Sequence, residues 1–67
     1  DYERARFYVR KVNTVSEIAT AQSLWLAARI EHRLGQPRVR QELGQQLRRR
    51  FPESREAAAF ERGNFDE

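Results

Sequence analysis

The fold is decided by residues 21–52, which read AQSLWLAARIEHRLGQPRVRQELGQQLRRRFP. A stretch rich in Leu and Ala leads to Gly35, a second stretch begins at Pro37, and Pro52 closes it. Glycine adopts the left-handed conformation that ends many helices, whereas proline is tolerated in the first turn of a helix but not in its interior. This order of helix, glycine turn, helix and proline break, within about 34 residues, is typical of the repeating unit of a helical solenoid.

The opening segment repeats the spacing of the second helix, although the residue identities differ. The matching positions are Ala5, Val9 and Val12 in the opening segment and Arg40, Gly44 and Leu47 in the second helix. We therefore expect residues 1–13 to be the second helix of a preceding repeat, and residues 14–54 to form a helical hairpin with one full repeat at about 21–54. Residues 55–67 are expected to form a terminal helix and a tail. Because the chain begins inside a repeat, we expect it to be part of a longer protein.

Apolar residues recur at helical spacing along the chain, and no segment alternates apolar and polar residues as a strand would. The sequence therefore predicts an all-α fold built from antiparallel helical hairpins. Helices are predicted over residues 2–12, up to Leu34, from Pro37 to the residue before Pro52, and over about 54–62. The first helix carries its apolar residues on one side, namely Ala5, Tyr8, Val9 and Val12.

Individual polar residues decide the boundaries between these helices. Asn13 and Thr14 are expected to end the first helix. The start of the central helix stays open, because Thr14 and Glu17 have the spacing of a capping box whereas the repeat frame starts the helix near Ala21. Residues 64–67 are expected to form a loose tail.

The central helix is apolar over more than one stripe. One row holds Ile18, Ala21, Leu24 and Ala28, and another holds Leu26, Ile30 and Leu34. A face this wide predicts neighbouring helices on two sides. In the next helix Gly44 costs about 1 kcal/mol relative to Ala, and the close approach of a neighbouring helix would explain its presence. Phe51 and Phe60 are expected in the core, and Ser54 is expected to cap the last helix.

The composition argues against several classes of site. The 67 residues include no Cys and one His, so neither a disulfide framework nor a structural zinc site is expected. His32 has no second metal-binding or catalytic side chain to join it, and Glu31 and Glu42 are expected on the solvated surface. We therefore expect no cofactor, no metal and no enzymatic activity.

A chain of this length buries a small core, and the apolar face left open on the first helix offers a route to self-association.

The positive charge is spread over the chain. The net charge is +3, 12 of the 13 basic residues are Arg, and ten acidic residues are interspersed with them. The densest basic run is Arg48–Arg50, and consecutive helical residues point about 100° apart. This run therefore surrounds its helix and does not form a stripe that follows a phosphate backbone. A solvated face is predicted and no nucleic acid is expected, with an Arg-rich nucleic-acid-binding helical module as an alternative.

The frame built from these residues resembles the tetratricopeptide repeat. The matching positions are Leu24 as the first apolar residue, Ala27 and Ala28 as the small pair, Gly35 as the turn, Leu47 in the second helix and Pro52 as the closing proline. The departures are Glu31 and Gly44, where this family has aromatic residues, and Arg40, where it has alanine. The resemblance implies a solenoid of stacked hairpins that binds a protein partner in a groove.

A narrower resemblance is to the C-terminal part of the type IV pilus biogenesis lipoproteins of the PilF/PilW type, the pilotins. It rests on SLWLAARI at residues 23–30, on the turn at 34–35, and on QLR at 46–48 leading into RFPES at 50–54. This resemblance implies a periplasmic protein, held at the outer membrane by a lipid anchor outside this chain, that assists assembly of the pilus secretin or stabilises pili. The alternative is a generic tetratricopeptide scaffold in another pathway.

In tetratricopeptide repeats the first helix of each hairpin lines the concave face. The residues that share this face here are Gln22, Trp25, Arg29, His32 and Arg33, at helical steps of three and four. Trp and Arg are common anchors of protein interfaces, so these residues are predicted to form a partner-binding groove for a peptide or an acidic protein surface. In the alternative, Trp25 packs against a neighbouring helix and the arginines are solvated.

Overall fold

The structure, a computed structural model, describes residues 1–14 and 19–66. Its helices are α1 at Tyr2–Thr14, α2 at Ala21–Arg33, α3 at Pro37–Arg50 and α4 at Arg55–Arg62. The described residues contain no strand, so the predicted all-α class is confirmed. Across these same residues, no helix is both long enough and apolar enough to cross a membrane.

Helix α1 begins with an aspartate cap and extends further than predicted. The carboxylate of Asp1 accepts hydrogen bonds from two backbone N–H groups of the first turn, at 3.0 and 3.3 Å. Asn13 and Thr14 are the last two residues of α1, so the helix extends two residues beyond the predicted range of 2–12. The Asn13 amide is tied to α2 instead: its Nδ2 donates to the carbonyl of Ser23 at 3.3 Å, and the Ser23 hydroxyl donates to its Oδ1 at 2.7 Å. Because these hydrogen bonds occupy the side-chain amide of Asn13, it does not compete for the backbone hydrogen bonds of α1.

Helix α2 begins where the repeat frame predicts, and a threonine caps it. The hydroxyl of Thr20 accepts from the backbone N–H of Ser23 at 3.0 Å, and the Ser23 hydroxyl accepts from the N–H of Thr20 at 2.8 Å. Ser23 therefore takes the place in the capping box that Glu or Gln usually fills. Thr14 is the last residue of α1 and Thr20 is the N-cap of α2, while Glu17 and Ile18 lie outside the described residues.

Three residues connect α2 to α3, and the predicted glycine turn is confirmed. Gly35 has a φ of 69°, in the left-handed region. The N–H of Gly35 donates to the carbonyl of His32 at 3.2 Å, and the N–H of Gln36 donates to that of Glu31 at 2.9 Å. This is the hydrogen-bond pattern of a Schellman motif. Pro37 then takes the first position of α3, where its missing N–H costs no helix hydrogen bond.

Helix α2 lies at the centre and packs against each of the other three helices. Leu24, near the start of α2, packs in one cluster with Leu47, near the end of α3. His32, near the end of α2, contacts Arg40 in the first turn of α3. These contacts show that α2 and α3 run antiparallel. Helix α1 packs against α2, and α4 packs against α2 and α3, so the predicted neighbours on two sides of the central helix are present.

The core consists of two clusters that meet at Leu43 on α3. One contains buried Val9, Ala27 and Ile30, with Ala5, Leu34 and Leu43 packed against them. The other contains buried Leu24, Leu47 and Ala57, with Ala21, Trp25, Leu43, Phe51 and Phe60 packed against them.

Tyr8 and Val12 are 61% and 38% exposed, so the apolar face of α1 is partly open, as predicted. Leu26 lies in the same apolar row of α2 as buried Ile30 but is 46% exposed, so this row is only partly covered.

Gly44 is buried against the side chain of Phe60 on α4. A Cβ atom at Gly44 would lie 2.1 Å from the Cζ and 2.2 Å from the Cε1 of Phe60, well inside van der Waals contact. The predicted close approach is therefore confirmed, and the neighbour is an aromatic ring. Helix α4 is capped as predicted, because the hydroxyl of Ser54 accepts from the backbone N–H of Ala57 at 3.0 Å.

Candidate partner-binding groove

The five predicted groove residues lie along one side of α2 and differ in exposure. Trp25, Arg29 and His32 are half-buried, whereas Gln22 and Arg33 are exposed. Because they are spaced three and four residues apart, all five lie on one face of α2. Four of them contact the last described residues of the chain, and Gln22 lies outside this group.

Phe65 occupies the centre of this surface. Its ring stacks on the His32 imidazole, with ring centroids 4.9 Å apart and 24° between the planes. The ring is tilted by 32° to the indole of Trp25 at 5.5 Å, and it meets the ring of Phe60 edge-on at 5.2 Å. The prediction of a loose tail is therefore wrong for residues 64–66, because contacts with three other rings hold Phe65 against α2.

Three arginines surround the same segment. The guanidinium carbon of Arg40 lies 5.1 Å from the centroid of the Phe65 ring, which is a cation–π contact. The Nε of Arg29 donates to the carbonyl of Phe65 at 3.4 Å, and the Nη2 of Arg33 lies 3.1 Å from the Oδ1 of Asp66. We refer to the surface that holds this segment as the α2 groove, formed by Trp25, Arg29, His32, Arg33, Arg40 and Phe60.

Arg40 fixes the tautomer of His32. Its Nη1 lies 2.8 Å from the Nδ1 of His32. Because a guanidinium group can only donate, Nδ1 must accept, and the proton of the neutral imidazole lies on Nε2. In this geometry the imidazole of His32 serves as an aromatic platform for the ring of Phe65.

Trp25 belongs to both the groove and the core. It packs against the cluster of Leu24 and Leu47, and its indole meets Phe60 of α4 edge-on, with centroids 6.4 Å apart. Its remaining aromatic contact is with Phe65. Trp25 therefore packs against neighbouring helices, as one of its two interpretations predicts, and it also contacts Phe65.

A cleft of about 90 Å³ continues the α2 groove toward α1. Its walls are formed by Tyr2, Leu26, Arg29, Ile30, Arg33 and Phe65. The guanidinium of Arg33 lies 5.8 Å from the centroid of the Tyr2 ring. The cleft therefore combines apolar walls with two positive charges beside Phe65.

Glu31 lies on the opposite side of α2 and is buried, with 2% of its surface exposed. The prediction that it is solvated is wrong, whereas Glu42 is exposed as predicted. The guanidinium of Arg6 on α1 donates to both carboxylate oxygens of Glu31 at 2.9 Å. This hydrogen bonding, with the charge of the carboxylate, raises the pKa of Arg6 above its ordinary value, so Arg6 stays charged. The pair lines a cleft of about 260 Å³ whose other walls include Val9, Ala27, Val39 and Leu43.

The sequence prediction misses four residues of this site, namely Arg40, Phe60, Phe65 and Asp66. Gly63 marks the end of α4: it has a φ of 75°, and the next N–H donates to the carbonyl of Ala59 at 3.2 Å. The hydrophobic contact of such a Schellman pattern involves the residue directly after the glycine, which is Asn64 here, so Phe65 has no local signal. Arg40 likewise has no local signal, because its place in the groove depends on how α3 packs against α2.

Comparison of the chain with protein-family models, with curated proteins and with solved structures finds no significant match. The family resemblance therefore rests on the sequence frame.

Proposed function

We propose that this chain is a non-catalytic protein-binding segment and that its binding surface is the α2 groove. One observation carries the proposal: the groove already holds a peptide segment, residues 64–66, through ring contacts, a hydrogen bond to a backbone carbonyl and an ion pair. Trp and Arg are enriched among the residues that dominate the binding energy of protein interfaces. A surface with these contacts recognises a peptide by shape and charge, and no reaction is required.

The hairpin of α2 and α3 is proposed to be a tetratricopeptide unit. In support, the start of α2, the left-handed glycine and the end of α3 before Pro52 fall where the frame requires them. Glu31 and Gly44 stand where tetratricopeptide repeats usually have aromatic residues, and both positions make other contacts here. The ring of Phe60 fills the space beside Gly44, and the ion pair of Glu31 joins α2 to α1.

The proposed biological role is in type IV pilus biogenesis. It is supported by the resemblance of residues 23–30, 34–35 and 46–54 to the PilF/PilW lipoproteins, since these stretches form much of the α2–α3 hairpin and the turn that follows it. In this role the protein assists assembly and outer-membrane localisation of the pilus secretin, or stabilises the pilus. Its partner is the secretin or another assembly component. The parent protein is periplasmic, and a lipid anchor outside this chain attaches it to the membrane.

A generic tetratricopeptide scaffold in another pathway would use the same hairpin and groove, and it is the second candidate. The nucleic-acid alternative receives less support. Arg48 forms an ion pair with Glu61 of α4, and Arg50 donates to the carbonyl of Ala19 at 3.4 Å. Two of the three arginines in the densest basic run are therefore engaged in contacts within the chain.

Deletion of the full-length gene in the source organism tests the biological role. Loss of secretin multimers, reversed by the intact gene, would support the pilotin role, and loss of pili with normal multimers would support pilus stabilisation. If multimers and pili are both unchanged, the pilus role is wrong and the generic scaffold remains.

A matched pair of complementing genes connects that role to the groove. Arg29→Ala removes a groove charge, and Arg38→Ala removes an exposed charge in the first turn of α3, outside the groove. With equal protein levels by immunoblot, Arg29→Ala should restore fewer multimers or pili than Arg38→Ala. Equal restoration would show that the α2 groove is not the binding surface.

A further inference from the structure

The contacts of Phe65 define which side chain the α2 groove accepts at its centre. The ring is contacted by the rings of Trp25, His32 and Phe60 and by the guanidinium of Arg40. Rings pack favourably in stacked and edge-on arrangements, and the face of a ring attracts a cation. An aliphatic side chain of similar volume would keep the burial but lose both kinds of contact. The centre of the groove is therefore selective for an aromatic side chain.

The residue that follows the aromatic one meets positive charge. Asp66 pairs with Arg33 at 3.1 Å, and Arg29 donates to the carbonyl that links Phe65 to Asp66, at 3.4 Å. With Arg40, these arginines bring three positive charges to one side of α2 and α3. A carboxylate directly after the aromatic residue matches this charge, whereas a basic residue at the same place would be repelled.

The segment is attached in a way that allows its release. The side chains of Arg33 and Asp66 are 45% and 72% exposed, and exposed ion pairs contribute little to stability. Gly63 ends α4 in the left-handed conformation, so residues 64–66 lie beyond the last helix. Withdrawal of Phe65 from the groove would therefore break no hydrogen bond inside the four helices.

We propose that the α2 groove binds partner segments in which an acidic residue directly follows an aromatic one, and that Phe65–Asp66 is an internal ligand that competes with the partner. The proposal rests on the protein-binding function proposed above and adds the chemistry of the partner to it. A segment on a short tether has an effective concentration in the millimolar range. A partner therefore has to bind the α2 groove more favourably than this tethered segment does in order to displace it.

The test is a titration of the full chain with a synthetic peptide, followed by the fluorescence of Trp25, which is the one tryptophan of the chain. The probe is acetyl-Gly-Asn-Phe-Asp-amide, which copies residues 63–66. Phe65→Ala removes the competing ring, and Phe7→Ala is the matched control at a ring that is 59% exposed on α1. We expect the peptide to bind the Phe65→Ala chain about tenfold more tightly than the wild-type or the Phe7→Ala chain, because no tethered ring competes there.

Altered peptides and one reversed charge test the chemistry of the contact. Replacing the Phe of the peptide by Ala should weaken binding about tenfold, and replacing its Asp by Asn should weaken it several-fold. In a Phe65→Ala/Arg33→Glu chain, a peptide ending in Phe-Lys should bind better than the one ending in Phe-Asp. Equal binding of the Phe and Ala peptides, or equal affinity of the wild-type and Phe65→Ala chains, would overturn the proposal.

Far-UV circular dichroism establishes that each variant keeps the helix content of the wild-type chain. If the Phe65→Ala chain loses helix content, the Asp66→Arg chain is tested in its place. There the new positive charge is repelled by Arg33, which releases the segment while the Phe65 ring remains in the chain. The same tightening of peptide binding is expected, and its absence would equally overturn the proposal.

The outcomes separate this proposal from the biological role. Peptide binding that requires both Phe and Asp, without any pilus phenotype on gene deletion, would sustain the partner chemistry and remove the pilus role. Complementation that depends on Arg29, without binding of any peptide version, would sustain the binding function and overturn the aromatic–acidic preference.

Discussion

Replacing Gly44 by alanine should destabilise the chain, although alanine is the better helix former. Within α3 the change gains about 1 kcal/mol of helix propensity. Against this gain, a Cβ at Gly44 would lie 2.1, 2.2 and 2.8 Å from the Cζ, Cε1 and Cε2 of Phe60. Carbon atoms in favourable contact lie about 3.5–4.0 Å apart, so the ring would have to withdraw by about 1.5 Å.

The ring cannot withdraw by that distance without disturbing its other neighbours. Phe60 meets Trp25 with centroids 6.4 Å apart and Phe65 with centroids 5.2 Å apart, and it packs against the cluster of Leu24 and Leu47. Overpacking of this kind costs about 1–3 kcal/mol, and the shortness of the contact places this case at the upper end. After the propensity gain is subtracted, Gly44→Ala should lower the free energy of unfolding by about 1–2 kcal/mol.

The decisive comparison repeats Gly44→Ala in a Phe60→Leu background. Leucine keeps an apolar side chain but lacks the Cε and Cζ atoms that approach Gly44, so the same change should there stabilise the chain by up to about 1 kcal/mol. Urea denaturation followed by far-UV circular dichroism measures each free energy of unfolding. Gln45→Ala, exposed at the next position of α3, is the matched control and should have the same small effect in both backgrounds. Stabilisation of the wild-type chain by Gly44→Ala, or equal effects in both backgrounds, would refute the reasoning.

Three further predictions concern single side chains. Leu24→Ala should lower the free energy of unfolding in urea by about 2–5 kcal/mol, whereas Leu26→Ala should cost far less, because Leu24 is 0% and Leu26 is 46% exposed. Glu31→Gln should lower the thermal midpoint, because it removes the buried carboxylate charge that pairs with Arg6 on α1. Glu3→Gln should change the midpoint little, because the Glu3 side chain beside the same guanidinium is 70% exposed. Ser54→Ala should cost about 1 kcal/mol and speed amide exchange at the start of α4, where its hydroxyl accepts a backbone hydrogen bond.

Local sequence rules predict most of the helix boundaries. The turn at Gly35, the start of α3 at Pro37 and the cap at Ser54 depend on conformations and hydrogen bonds within a few residues, which is why their spacing alone locates them. The start of α2 is harder to predict, because the capping box at Thr20 uses Ser23 where the usual pattern has Glu or Gln.

Contacts between distant residues are the part of the site that the sequence does not reveal. Glu31 resembles a solvated surface residue until Arg6, 25 positions earlier, binds both of its carboxylate oxygens. Phe65 resembles part of a polar tail until the end of α4 directs it back onto α2. Helical periodicity gives the face of a single helix, and it brings together the groove residues of α2. It carries no information on which side chains of α3 and α4, such as Arg40 and Phe60, will meet that face.

Because Trp25 belongs to both the core and the groove, replacing it cannot separate an effect on binding from an effect on folding. Its indole packs against the core cluster of Leu24 and Leu47 and also contacts Phe65, so its replacement removes core packing and a groove wall together. Arg29 and Arg33 lie on the same face of α2, but they contact residues 65–66 through polar atoms at the rim. Loss of binding after replacement of these arginines, with helix content retained, therefore reports on the groove, whereas the same loss after replacement of Trp25 does not. Helix α2 builds the core and also carries the proposed binding surface, and the charges at its rim are the part of that surface on which the core does not depend.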